Sequence, residues 1–170
     1  MSTINVSIKN LGNFSKAIEN YVNDITKKLE LMLKKLTDQG VDIAKAYIDD
    51  YDAIFTGELR DGISSEKLPG DKNNIVFVVK ATSEHAIFVE MGTGKVGAAY
   101  PYPGKLPAMY AQGTHIFETK SGRYGWIYYN EEWNQYVFTE GMISRPFMYE
   151  TSLELQSLVL DVAREVFGNG

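Results

Sequence analysis

A chain of 170 residues with 44% hydrophobic and 23% charged side chains has the size of one domain, burying about two thirds of its unfolded surface, and the composition of a folded one. Without a cysteine it forms no disulfide, no thiolate nucleophile and no Cys-ligated zinc site, which fits a reducing cytoplasm. A formal net charge of −5 argues against a general nucleic-acid binder, whose affinity rests on a basic surface. The opening MSTINVSIKNLG lacks the basic flank and apolar centre of a signal peptide. No apolar run approaches the roughly 20 residues that span a bilayer.

In chain order, Ile4, Val6 and Ile8 alternate with polar residues and predict a short half-buried strand. Phe14, Ile18, Tyr21, Val22, Ile25, Leu29, Met32, Leu33 and Leu36 follow at steps of three and four, and Ile43, Ala44, Tyr47 and Tyr51 continue them. That spacing puts one apolar stripe on a helix over 14–50, with Gly40 as a place where it kinks or splits. Uninterrupted, such a helix is about 55 Å long, more than so small a chain covers, so part of its stripe is expected to meet another subunit. Glu58 to Ile63 reads as a helical turn or a lead into a strand, and 69–73 as a turn. Ile75, Val76, Phe77, Val78 and Val79 predict a strand from their β-branched and aromatic content. Three of the five prolines fall between 95 and 113, where an irregular loop is expected. An antiparallel meander follows, with strands at 114–118, 124–129 and 135–138. Ser144-Arg145-Pro146-Phe147 opens a last helix over 146–167, with Leu155, Leu158, Val159, Val162 and Val166 on its apolar face and Gly168 as its stop. The expected fold is α+β in a single domain over 1–170: helices at both ends and a small antiparallel sheet and loop region over 56–140 between them.

Chemical motifs are thin. Gly92-Thr93-Gly94-Lys95-Val96-Gly97 spells G-x-G-x-x-G, but that fingerprint needs a strand before it and a helix after it, and Pro101 and Pro103 are expected to bar the helix. Val89 and Val96 stand where a Walker A needs glycine and Ser or Thr. His85 and His115, thirty residues apart, have no ligand-spaced partner, and no G-x-S-x-G elbow occurs. Asp49, Asp50 and Asp52 read as solvated, as do Glu131 and Glu132 in a turn. Lys27, Lys28, Lys34 and Lys35 make a solvated face or an intersubunit ion-pair strip. Neither enzyme activity, cofactor nor metal is expected. Trp126, Tyr128, Tyr129, Trp133, Tyr136 and Phe138 crowd the meander; they form a core face, a protein interface, or a platform for stacking sugars. The last option would make the chain a carbohydrate-binding module using the strip 126–138.

Four segments taken together resemble a known family. They are Thr56-Gly57-Glu58-Leu59-Arg60-Asp61-Gly62-Ile63, Ala86-Ile87-Phe88-Val89-Glu90-Met91-Gly92-Thr93-Gly94, Gly125-Trp126-Ile127-Tyr128-Tyr129 and Gly141-Met142-Ile143-Ser144-Arg145-Pro146-Phe147-Met148. In this order, over roughly 10–165, they resemble the minor tail components of tailed bacteriophages that act at the head–tail junction, called tail-completion, neck or head–tail joining proteins. In that family a long helix precedes G-x-L-R-x-x-I, Y-A-x-x-V-E-x-G-T and R-P-F-[LM]. His85 stands where the family has tyrosine, and the 95–140 region is longer than in short members. The resemblance implies a structural virion protein, assembled in the host cytoplasm, that forms a homo-oligomeric ring, sixfold like the tail. Its implied partners are the tail terminator, the tail tube or sheath and neck or connector proteins, with DNA passing the lumen unbound and no membrane involved. Leu59, Arg60, Glu90, Gly92, Thr93, Gly94, Arg145, Pro146 and Phe147 are then assembly-fold residues, and Ile25, Leu29, Trp126 and Trp133 candidate interface residues.

Overall fold

The computed structural model describes residues 11–53, 57–70, 74–107, 117–130 and 132–168. The strand expected at 4–8, the start of the one expected at 114–118, His115 and Glu131 lie outside them. The architecture is α+β. Helix α1 runs from Leu11 to Asp50, followed by a turn of helix α2 (Glu58–Asp61) and strands β1 (Ile63–Leu68) and β2 (Val76–Ala81). Two six-residue helices come next, α3 (Ala86–Met91) and α4 (Gly94–Ala99). The meander β3 (Phe117–Glu118), β4 (Tyr124–Asn130) and β5 (Gln135–Thr139), the two-residue β6 (Gly141–Met142) and the helix α5 (Phe147–Phe167) complete the chain. Strands β1 and β2 form one antiparallel pair, in register from Ile63 opposite Ala81 to Leu68 opposite Val76. The second sheet has the order β3-β4-β5.

Helix α1 is unbroken, about 60 Å long at 1.5 Å per residue. Gly40 neither kinks nor splits it. A Cβ there would lie 2.8 Å from Val79 of β2 and 2.9 Å from Leu155 of α5, so the missing side chain lets three elements close on one point. Helix α5 runs antiparallel to α1: Lys35 pairs with Glu165, the Tyr47 hydroxyl donates to Glu154 at 3.1 Å, and Arg145, just before α5, reaches the Tyr51 carbonyl. On another side of α1 lies the β1–β2 hairpin, where Ser65 donates to Asp38 and Lys67 pairs with Glu30.

The core gathers at the C-terminal end of α1. Ala44, Ile48, Leu59, Ile63, Ala86 and Phe147 are buried together, with Val41, Tyr47, Val79, Val89 and Met148 packed around them. Burying such side chains contributes about 1.5–3 kcal/mol each. Among the described residues the other half of α1 has no such cover. Helix α5 has 21 residues to the 40 of α1, and it reaches only the later turns of its partner. Phe14 is 66% and Tyr21 67% exposed, and Ile18, Val22 and Leu29 are exposed beside them.

The 95–113 stretch is not irregular throughout. Helix α4 begins at Gly94 and ends at Ala99, just ahead of Pro101. Pro101 and Pro103 limit the length of this helix without preventing it, because a proline breaks hydrogen bonds only within and behind its own turn. The Val96 amide donates to the Glu140 carbonyl at 3.3 Å, which ties the short helix to the strand end. Of Lys27, Lys28, Lys34 and Lys35 on α1, three pair within the chain, Lys28 with Asp24, Lys34 with Asp38 and Lys35 with Glu165, and Asp49 pairs with Arg60. These exposed pairs contribute at most about 1 kcal/mol each.

Candidate functional site

Helix α5 starts with an unusual local sequence. Pro146 occupies the N-cap position and has no side-chain acceptor for the free N–H groups of the first turn. The acceptor comes from far along the chain. Glu90, at the end of α3, places one carboxylate oxygen 2.8 Å from the Met148 N–H and the other 2.9 Å from the Tyr149 N–H. Its side chain is buried, the residue being only 6% exposed. Burial raises its carboxyl above the ordinary range, while the two amides and the Tyr102 hydroxyl act in the opposite direction. Burial and the adjoining carboxylate push the Tyr102 hydroxyl itself up to about 12.

Around this carboxylate the segments 89–94 and 141–149 lie against each other. The Arg145 amide donates to the Val89 carbonyl at 2.8 Å and the Ser144 hydroxyl to the Glu90 carbonyl at 2.6 Å. The Met142 amide donates to the Thr93 hydroxyl at 3.2 Å, and Thr93 and Gly94 bridge to Met142 and Gly141. Gly92 has φ +71°, and a Cβ on it would sit 2.6 Å from the Ser144 nitrogen. Gly94 has φ +63°, with its Cβ position 2.5 Å from the Glu140 carbonyl oxygen. Both positions demand a left-handed backbone and a close approach of chain to chain. Arg145 then turns inward, and its Nε donates to the Tyr51 carbonyl at 3.1 Å, closing the C-terminal end of α1. Phe147, 1% exposed, fills the core beneath, and Leu59 is buried beside it, while Arg60 reaches back to Asp49 at 2.9 Å.

Thus Glu90, Gly92, Thr93, Gly94, Arg145, Pro146 and Phe147 meet in one junction, with Leu59 under it and Arg60 at the rim. Both oxygens of the one buried carboxylate in the junction are held by backbone amides. It also has no dinucleotide geometry, since the glycines follow the helix α3 where that fingerprint requires a strand. Among the described residues no group of three or more His, Asp or Glu could hold a metal ion. Ser144 and Tyr102 belong to the junction and were not singled out from the sequence. A helix opening on Arg-Pro-Phe with no local cap was the available sign that a distant acceptor had to exist.

The candidate interface residues lie apart from the junction. Ile25 is half-buried and Leu29 exposed, both on the uncovered half of α1. Trp126, on β4, is half-buried, with its ring 2.9 Å from the Cβ position of Gly94, and Trp133 is exposed in the β4–β5 turn. The two indoles are separated by about 13 Å of β4 or more and make no shared sugar-stacking platform. The aromatic strip therefore does not form one face. Gly125, Ile127 and Tyr129 point to one side of β4, and Trp126, Tyr128 and Asn130 to the other.

Comparison with curated proteins and with solved structures gives no match to this chain. Residues 13–92 match the family model described as "Bacteriophage HK97-gp10, putative tail-component". The matched stretch carries α1, α2, the β1–β2 hairpin, α3 and the glycine that ends it, which supply the core around Phe147 and half of the junction. Through them the first half of the chain is similar to the HK97-gp10-like family of bacteriophage tail components.

Proposed function

We propose that this tail component completes the head-proximal end of the tail and joins it to the neck, as a ring of identical copies with the sixfold symmetry of the tail. The observation that carries the reading is the first half of α1, whose apolar stripe of Phe14, Ile18, Tyr21, Val22 and Leu29 is left exposed by the described residues. Contiguous apolar surface of that extent marks a binding site. A stripe on one side of a molecule closes a ring when each copy covers its neighbour's through a rotated, heterologous contact. The junction of Glu90 with the start of α5 gives that helix a rigid body to project from, and the reading assigns no chemical step to it.

In this reading the further partners are the tail terminator, the tail tube or sheath and the neck or connector proteins. The genome passes a lumen whose lining shares the negative net charge of the chain and does not hold DNA. The protein assembles in the host cytoplasm and ends in the virion. The test is Ile25→Asp and Leu29→Asp in a phage that encodes the protein, with circular dichroism first showing that each variant folds. Heads and tails that accumulate unjoined support the reading. Normal particles from folded variants overturn it.

A further inference from the structure

We propose that the socket for the α1 stripe is the aromatic face of the meander on the next copy: Ile127, Tyr129, Tyr136 and Phe138. This deepens the ring reading above and rests on it for closure of the ring. The register puts Ile127 opposite Phe138 and Tyr129 opposite Tyr136, so the four side chains share one side of β4–β5. Tyr129 and Tyr136 meet edge to face with centroids 5.2 Å apart, and Arg123 lies over the Phe138 ring at 4.6 Å. Ile127 is 65% and Tyr136 77% exposed, so the platform is formed but uncovered. None of the four positions carries a charge, and neither does any of Phe14, Ile18, Tyr21, Val22 and Leu29 on the stripe.

The two surfaces cannot meet within one chain. The meander is rooted at the junction, where Trp126 lies on Gly94 and Val96 is tied to Glu140. The junction is fixed to the C-terminal end of α1 through Arg145 and the Tyr51 carbonyl. Between that carbonyl and the stretch from Val22 back to Phe14 lie about 43–55 Å of helix. Strand β4, seven residues long, spans only about 23 Å. Two apolar surfaces held at such a separation on one molecule are matched between copies, head to tail, and a repeated contact of that kind is heterologous.

The areas agree. An aromatic side chain buries about 150–250 Å², so the free portions of the stripe come to about 450–550 Å² and those of the platform to about 300–400 Å². The apolar share of one partner's side in a standard interface is about 450 Å². A second copy is thus an occupant of the right size and chemistry for both surfaces.

Because the chain has no cysteine, single-cysteine variants report the contact directly. Tyr21→Cys and Ile127→Cys, each shown to melt like the parent, are treated with a short bis-maleimide alone and as an equimolar mixture. The expected result is a covalent dimer in the mixture that neither variant gives alone, and a ladder of multimers from the double variant. Adding Ile18→Asp to the first variant or Tyr136→Asp to the second is expected to remove the mixed dimer. A dimer from Tyr21→Cys alone, which reports helix against helix, overturns the pairing. So does a mixture without a mixed dimer, or a mixed dimer that survives both charge substitutions. The outcome separates from the junction role: a ladder from a protein located elsewhere in the tail keeps the pairing and removes only the role, and a junction location without the mixed dimer does the reverse.

Discussion

Replacing Glu90 by glutamine isolates what one buried carboxylate does for the docking of α5. The side chain keeps its shape and one oxygen, but an NH2 group now faces either the Met148 or the Tyr149 amide, which lie 2.8 and 2.9 Å from the two carboxylate oxygens. Pro146 at the N-cap offers no substitute acceptor, and the site is too closed for water to serve freely. One buried donor is left without a partner, at a cost of about 1–3 kcal/mol. For a chain of this length that lowers the melting temperature by about 2–4 °C per kcal/mol. Urea unfolding at neutral pH measures it, with Glu150→Gln in the same first turn of α5 as the control, expected to change stability by less than about 0.5 kcal/mol. The pH dependence adds a sign. Burial raises the Glu90 carboxyl above its ordinary 4.5, so the folded state holds this proton more tightly than the unfolded state. The proton-linked part of its contribution, separate from the two amide hydrogen bonds, is then fully present below the unfolded value and is lost as the pH rises through the higher folded value. The glutamine variant has no such slope, so its deficit relative to the parent is largest at acidic pH and shrinks as the pH rises through that window. A variant as stable as the parent at every pH refutes the capping role.

Other substitutions test the remaining parts of the framework. Phe147→Ala empties the largest fully buried side chain and is expected to cost about 3–5 kcal/mol by calorimetry or denaturant titration. Gly92→Ala forces a side chain onto a left-handed backbone 2.6 Å from the Ser144 nitrogen, and a loss of more than about 1 kcal/mol is expected, read as a lower urea midpoint. Gly40→Ala sets about 1 kcal/mol of helix propensity against overpacking of about 1–3 kcal/mol on Val79 and Leu155. The expected net effect in thermal melts is destabilising, and a gain in stability would mean that Gly40 is not a packing point.

How far these features were legible in the sequence depends on whether the signal was local. The 3–4 spacing from Phe14 to Tyr51 marked α1, and the β-branched run at 75–79 marked β2, because each pattern lies within one element. Gly40 misled because its role depends on Val79 and Leu155, which are distant in sequence. Helix α4 was hidden by two glycines and the prolines after it; its hold on Glu140 is a tertiary contact that no propensity records. At the junction the motif segments were visible as a set, but the bond from Glu90 to the amides of α5 crosses nearly sixty residues. The aromatic strip gave no hint of its sidedness until the register separated Ile127 and Tyr129 from Trp126 and Tyr128.

The central claim is that this protein works at the head-proximal end of the tail through copies of itself. A reconstruction of the intact particle from cryo-electron micrographs tests it most directly. The account predicts density for the long α1 helices in a sixfold ring between tail and neck, with the first half of each helix against the neighbouring copy. The same chain found at the distal tip, or present there as single copies that do not touch one another, would contradict it.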